Sequence, residues 1–203
     1  MNKAAQPDIF SDQLEAWLKG KQPKSFDSLI NLFKDKSFAV IFLVLMILPA
    51  LPLPTGGITH IFEIIVMLLC LEMIAGFKTI WLPKRWRSLK LGKFLEGKAI
   101  PLLLKRVRQV EKRSSPRWRG FFTLPLAQRF LALLIFGLTL TAFLSPPFSG
   151  LDTLPSLGVV LISLAIILDD FILLLAGTVV GALGVFLVVG LSGVIIKFSH
   201  RLF

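Results

Sequence analysis

An apolar run that breaks at a cluster of prolines and glycines and then resumes occurs twice in this chain. Phe38 to Leu53 is apolar, Pro49, Pro52, Pro54, Gly56 and Gly57 interrupt it, and Ile61 to Gly76 continues it. In the second half Leu126 to Leu144 is apolar, Pro146, Pro147 and Gly150 interrupt, and Pro155 to Leu168 continues. Each resumed run reaches acid, at Glu72 in the first and at Asp169 with Asp170 in the second. Proline lacks an N–H and blocks the preceding turn, so such a break frees carbonyls, and glycine leaves backbone open to approach. Inside lipid a broken helix is tolerated only where protein or a wet cavity satisfies that backbone. The pattern predicts a pseudo-symmetric membrane protein with its chemistry concentrated at the breaks.

Composition agrees with a bilayer. Of 203 residues 55% are hydrophobic, mean hydropathy is +0.78, and the apolar residues are gathered into runs. The stretch from Leu157 to Ile196 carries charge only at Asp169 and Asp170. It is too long for one span of about 20 residues and fits two helices or a kinked pair. A soluble core is excluded. Residues 1–37 are polar and hold no short apolar stretch followed by a small-residue cleavage site, so the N-terminus is expected to stay in the mature protein. The single cysteine, Cys70, lies within an apolar run; an intramolecular disulfide and a cysteine-based metal cluster are excluded, and no metal or cofactor is expected.

Lys and Arg number 23 against 12 Asp and Glu, for a net charge of +11. Fourteen of the basic residues lie between Lys78 and Arg119, against the ends of apolar runs and beside Trp81, Trp86 and Trp118. Tryptophan with Lys and Arg at a span end marks the membrane interface and its cytoplasmic side. No nucleic-acid motif accompanies the charge, so nucleic acid is not an expected partner. The second break, Ser145 to Thr153, contains no Lys or Arg, and this contrast orients the chain.

One integrated, all-α, polytopic membrane domain with five parts is expected: two repeated helix–Pro/Gly break–helix units, re-entrant or spanning, with a C-terminal Gly-rich helix and amphipathic interfacial helices. Residues 1–37 form a cytoplasmic or interfacial region. One helix there places Ile9, Leu14, Trp17 and Leu18 on one face, and a second begins near Ser25 or Asp27. Residues 38–76 are the first membrane hairpin, 77–123 a basic cytoplasmic linker with an amphipathic helix from Pro101 to about Arg113, 124–170 the second hairpin, and 171–203 the last helix with a short basic tail. Each arm of the first hairpin has only about 16 apolar residues, short for a span. If all five arms cross, Lys197, His200 and Arg201 fall outside, against the charge rule; one re-entrant arm returns them to the cytoplasm.

The breaks supply the candidate polar, ion or substrate site: Pro52, Pro54, Gly56 and Gly57 with His60, Glu63 and Glu72, and Pro147, Gly150 and Pro155 with Ser156, Ser163, Asp169 and Asp170. Freed carbonyls and helix N-termini bind cations or anionic head groups, whereas an ordinary surface loop would leave the same residues solvated. His60 and Glu63 share a helix face as a proton-sharing or ion-holding pair, or lie solvated in the headgroup layer. Glu72 falls on the opposite face from Glu63, so the two are not one dyad. Ser156, Ser163 and Asp170 recur every seven residues as a polar stripe, extended by Thr153, that lines a path or joins helices. Asp169 and Asp170 are either buried carboxylates or a solvated turn. Trp81, Arg106, Arg108, Lys112, Arg113 and Arg117 form an anionic-lipid or interface set, which could equally be generic positive-inside anchoring. Gly177, Gly181 and Gly184 line a helix-packing face whose partner is another helix of this chain or of a second copy in a homodimer.

The run Leu51-Pro52-Leu53-Pro54-Thr55-Gly56-Gly57, followed by Leu71-Glu72-Met73, Gly76 and Trp81-Leu82-Pro83, resembles the first signature of the ExoD family of exopolysaccharide-synthesis membrane proteins. Pro101-Leu102-Leu103, Glu111-Lys112 and Pro116-Arg117 resemble its middle signature, and Pro155, Leu168-Asp169-Asp170 and Gly177 its last. The resemblance runs from about residue 25 to 195. It implies a protein of the bacterial inner membrane linked to exopolysaccharide production and without established catalytic activity; the apolar runs and the charge distribution make that protein multi-pass with its N-terminus expected in the cytoplasm. Two positions depart: Glu72 stands where the family usually has Gln, and Phe171 where it commonly has Gly, which puts a tight turn there in question. The reading is a protein that handles an ion, a proton or a lipid-linked saccharide at the breaks, with the bilayer, anionic lipid or a polyprenyl-phosphate-linked saccharide as partners; the alternative is a non-catalytic accessory or scaffold subunit of an exopolysaccharide assembly. An enzyme is disfavoured because no HExxH, GxSxG, paired-aspartate or P-loop pattern occurs.

Overall fold

The computed structural model describes residues 10–52, 58–81, 97, 100–114, 118–146 and 149–202, and among them the regular elements are all helices. They are α1 (Phe10–Lys19), α2 (Phe26–Phe33), a 3₁₀ turn (Lys34–Lys36), α3 (Ser37–Met46), α4 (Ile58–Ala75), α5 (Ile100–Glu111), α6 (Arg119–Thr123), α7 (Pro125–Leu144), α8 (Thr153–Leu168) and α9 (Phe171–Leu202).

The centre of the bundle is α3. A helix that is apolar all round buries itself all round, and every residue from Val40 to Met46 is fully buried. α3 packs against α8, α2 and α4. The helix stops at Met46, before its apolar run ends, and the chain continues through turns in which Ala50 N–H donates to Met46 O at 3.0 Å. Pro49 explains the early stop, because its ring disfavours the helical region at Leu48 and it offers no N–H of its own. Ten residues at 1.5 Å each make α3 about 15 Å long, half the hydrocarbon thickness of a bilayer.

Three contacts fix how the other helices run. α4 and α7 are antiparallel, since the His60 and Phe143 rings lie 5.2 Å apart at one end and Gly76 abuts the Arg129 guanidinium at the other. α8 and α9 are antiparallel, with Gly158 against Gly181, Gly177 against Ile162 and Gly184 against Pro155. α3 runs against α8, because Lys36 Nζ donates to Ile167 O at 2.5 Å and to Asp169 Oδ2 at 3.0 Å. Both breaks therefore lie at one end of the bundle, the break end; Lys36, Gly76, Arg129 and Asp169 mark the opposite, basic end. Gly76 sits at φ +92°, a conformation that favours glycine.

The glycine face of α9 is used within the chain. A Cβ on Gly158 would stand 2.6 Å from Gly181 Cα and 3.0 Å from Gly177 O, so two backbones touch where side chains would hold them apart. Of the two alternatives for Gly177, Gly181 and Gly184, the partner is another helix of the same chain.

α7 and the part of α9 from Phe171 to Leu191 are each long and apolar enough to cross a membrane, with mean hydropathy 1.7 and 2.7. Their outer faces expose Phe130, Leu133 and Leu144 on α7, and Leu175, Val179, Leu183 and Phe186 on α9. α8 is shorter, 16 residues.

At the basic end α1 docks on α5. Leu14 and Trp17 of α1 and Leu103 and Val107 of α5 are buried in the common core. Ser11 N–H donates to Glu111 Oε1 at 3.1 Å, and the Arg108 guanidinium pairs with Asp12 and Glu15. α2 begins at Ser25 with a reciprocal cap, in which Ser28 N–H donates to Ser25 Oγ at 3.3 Å and Ser25 N–H to Ser28 Oγ at 3.2 Å.

Candidate functional site

Two polar centres emerge, one at each end of the bundle. At the break end, His60 and Glu63 stand one turn apart on α4 and share a face. His60 Nδ1 and Glu63 Oε2 share a hydrogen bond of 2.7 Å; the imidazole is partly exposed, while the Glu63 side chain is wholly buried. Its second oxygen, Oε1, has no hydrogen-bond partner. The far edge of the imidazole meets Phe143 from α7, and Asp152, in the turn before α8, lies close enough to interact electrostatically with both His60 and Glu63. This cluster joins the resumed arm of the first unit to both arms of the second.

Pro52 is exposed, Gly150 holds φ +68° in the second turn, and Pro155 is buried in the first turn of α8 against Gly184. Pro54, Gly56, Gly57 and Pro147 lie outside the described residues. Ser156 is fully buried with Oγ unbonded, whereas Ser163 Oγ–H donates to Val159 O at 2.8 Å within its own helix. The seven-residue stripe does not reach Asp170, because α8 ends at Leu168.

Glu72 is separate, as its helical phase requires. It lies one residue away from the buried line of Glu63, Val66, Cys70 and Met73, and its Oε2 accepts Trp81 N–H at 2.9 Å.

The basic-end centre is the Asp169–Asp170 turn. Both aspartates are buried. Asp169 takes the left-handed conformation, φ +53°, that closes α8, and its carboxylate accepts Lys36. Asp170 caps α9: Ile172 N–H donates to Oδ1 at 2.9 Å and Ser114 Oγ–H to Oδ2 at 2.8 Å. The turn is tight without glycine at 171, since the left-handed residue is two positions earlier. Phe171 is the first residue of α9, and its ring lies 5.2 Å from Trp118 and 5.8 Å from Phe121. Three segments distant in sequence, around Lys36, Ser114 and Asp169, are thus tied together.

Of the basic set, Arg106 is exposed on α5, Lys112 and Arg113 are exposed in the turn that follows it, Trp81 is exposed beyond α4, and Arg117 lies outside the described residues. Arg108 is engaged by α1. A hydrogen bond from Lys19, helped by Arg108, holds the Glu15 carboxyl below its ordinary range, and the hydrogen bond to Asp12 raises the Arg108 guanidinium. An open cleft of about 490 Å³ lies between α1 and α5, edged by Lys19, Lys105, Arg108 and Lys112. It is far from the break-end cluster in the fold, and the two are distinct.

Sequence reasoning did not single out Lys36, Ser114, Thr139, Phe143 or Asp152 as site residues. Asp152 carried a usable signal, an acid in the turn where the apolar run resumes. Thr139 carried one as well, a lone hydroxyl on the buried line Leu131, Ile135, Leu138, Ala142. Lys36 and Ser114 carried none, because their partners lie more than fifty residues away.

Comparisons with known proteins agree on one family. The family described as exopolysaccharide synthesis, ExoD, matches residues 10–190. An uncharacterized protein of Synechocystis sp. is 25% identical over 154 residues, covering 74% of this chain and 70% of that protein. No solved structure matches. The family match takes in every element from α1 to the membrane-length part of α9, including the His60–Glu63 pair and the Asp169–Asp170 turn, and the chain belongs to the ExoD family of exopolysaccharide synthesis.

Proposed function

We propose that this protein acts in exopolysaccharide synthesis as a multi-pass protein of the bacterial inner membrane, and that it handles an ion, a proton or a lipid-linked saccharide at the break end without itself catalysing a reaction. The observation that carries this is the wholly buried Glu63 carboxyl bonded to His60, set where the arms of both units converge. A carboxylate in a membrane-embedded bundle is expensive to keep and marks ion or proton pathways. The outward leucines and phenylalanines of α7 and α9 support immersion in lipid, because a monomer in water rarely leaves such faces uncovered.

In this reading the two units enter from the cytoplasmic face as parallel repeats. α3, buried on all sides and about 15 Å long, serves as the re-entrant arm. Arg106 on α5, with Lys112 and Arg113 in the turn after it, rests on anionic lipid head groups and receives the phosphate of a lipid carrier. The scaffold alternative draws less support, since the glycine face that would recruit a second copy is filled by α8.

Complementation of a deletion strain tests the proposal. Glu63→Gln is expected to reduce polysaccharide output several-fold with membrane level unchanged, while Glu72→Gln, off the cluster, retains it. Wild-type output from Glu63→Gln would remove the break-end site from the mechanism.

A further inference from the structure

The break-end cluster has a second layer beneath it. Each of its three contributors repeats one helical turn further into the bundle: Glu63 follows His60 by three residues on α4, Thr139 precedes Phe143 by four on α7, and Ser156 follows Asp152 by four on α8. Side chains three or four apart share a helix face. Phe143 meets the His60 ring and Asp152 lies in electrostatic reach of His60 and Glu63, so helical phase turns the faces carrying Glu63, Thr139 and Ser156 toward one another one turn deeper.

All three lower side chains are fully buried, and each has an oxygen without a hydrogen-bond partner: Glu63 Oε1, Thr139 Oγ1 and Ser156 Oγ. Buried oxygens left unpaired cost about 1–3 kcal/mol each. Among the described residues the other two unpartnered buried oxygens, Ser37 Oγ and Glu111 Oε2, lie at the basic end, whereas these three fall one turn below the upper layer on three different helices, the arrangement of a ligand site. The upper layer caps it, with the His60 imidazole bonded to the other oxygen of the same carboxylate.

We propose that Glu63, Thr139 and Ser156 hold a dehydrated alkali cation inside the bundle beneath His60, with sodium as the ion to test first. The chemistry selects the class. A carboxylate and two hydroxyls are hard oxygen donors, which take hard cations in preference to soft ones. The lower layer holds one carboxylate, Glu63, beside two neutral hydroxyls, a donor set that one monovalent ion matches in an apolar surround. Among the described residues no three His, Cys, Asp or Glu side chains are arranged to hold a metal ion, so the donor set is not that of a transition-metal centre.

This inference rests on the proposed handling role and names its ligand, and its test is a binding measurement so that the two stand or fall separately. The full-length protein, purified in detergent, is melted in sodium chloride and in choline chloride at equal ionic strength, with ²²Na⁺ binding measured in parallel. The expected result is a higher melting midpoint in sodium and saturable ²²Na⁺ binding. Glu63→Gln should abolish both, Thr139→Val and Ser156→Ala should each weaken ²²Na⁺ affinity at least tenfold, and Glu72→Gln should leave it unchanged. The two hydroxyl variants keep the carboxylate and guard against a Glu63 variant that merely misfolds. A wild-type protein indifferent to sodium, lithium and potassium alike, or wild-type affinity in both hydroxyl variants, overturns the site. Loss of polysaccharide output in Glu63→Gln alongside no cation binding by the wild type would leave proton or saccharide handling standing without it.

Discussion

Replacing Gly158 by alanine probes the tightest contact in the bundle. The added methyl would lie 2.6 Å from Gly181 Cα and 3.0 Å from Gly177 O, both backbone atoms that cannot swing aside. Carbon atoms rest about 3.5–4.0 Å apart, so α8 and α9 must separate by about 1 Å and loosen their shared seam. Overpacking of this kind costs about 1–3 kcal/mol. Alanine also favours the helix over glycine by about 1 kcal/mol, which masks part of that cost. Gly137 on α7 supplies the control, because it is helical and a Cβ there meets nothing within 4 Å. The difference between Gly158→Ala and Gly137→Ala therefore isolates the clash. At about 2–4 °C per kcal/mol for a chain of this size, Gly158→Ala should melt about 2–12 °C below Gly137→Ala in detergent. Equal midpoints for the two variants would refute backbone contact between α8 and α9.

Other perturbations test the rest of the architecture. Lys36→Met and Asp169→Asn should each lower the melting midpoint, and the double variant should fall short of their sum by about 0.5 kcal/mol or more, since the two side chains form one contact at 3.0 Å. Phe171→Gly, which restores the residue common in the family, should destabilise by about 2 kcal/mol or more in a thermal melt, because it removes the ring against Trp118 and Phe121 and relieves no strain. Leu14→Ala should cost about 2–5 kcal/mol and open the α1–α2 region to limited proteolysis, since Leu14 is fully buried. The Glu15 contacts with Lys19 and Arg108 follow pH with a definite sign. A carboxyl held below its ordinary value of 4.5 stabilises fully above that value and loses its contribution as pH falls through its lowered one, so α1 docking should be flat from pH 8 to 5 and weaken only below about 4.5.

The helix–break–helix units, the amphipathic character of α1, α2 and α5, and the division of the long apolar stretch at Asp169–Asp170 were all legible in the sequence, because each leaves a local pattern. The extent of α3 was not. Apolar composition reports burial, and from Phe38 to Ala50 everything is buried whether helical or turned; only Pro49 hinted at the stop. The Ser156–Ser163–Asp170 stripe failed for a related reason, since counting by sevens assumes one continuous helix and the left-handed Asp169 ends it. His60 with Glu63 was legible as a spacing, but its neighbours were not: Phe143 and Asp152 join it from more than eighty residues away. The basic set divided on the same principle. Arg108 is indistinguishable in sequence from Arg106 and Arg113, yet α1 brings Asp12 and Glu15 to it alone.

The central claim is that the two repeated units meet at their breaks and close a polar site there. Single cysteines introduced as His60→Cys and Phe143→Cys in a Cys70→Ala background, treated with a short bismaleimide in native membranes, test it most directly. Facing rings 5.2 Å apart predict efficient intramolecular cross-linking of the pair and none when Phe143→Cys is replaced by Phe130→Cys, on the exposed face of α7. Absence of a cross-link between positions 60 and 143 in a folded, membrane-inserted protein would contradict the account.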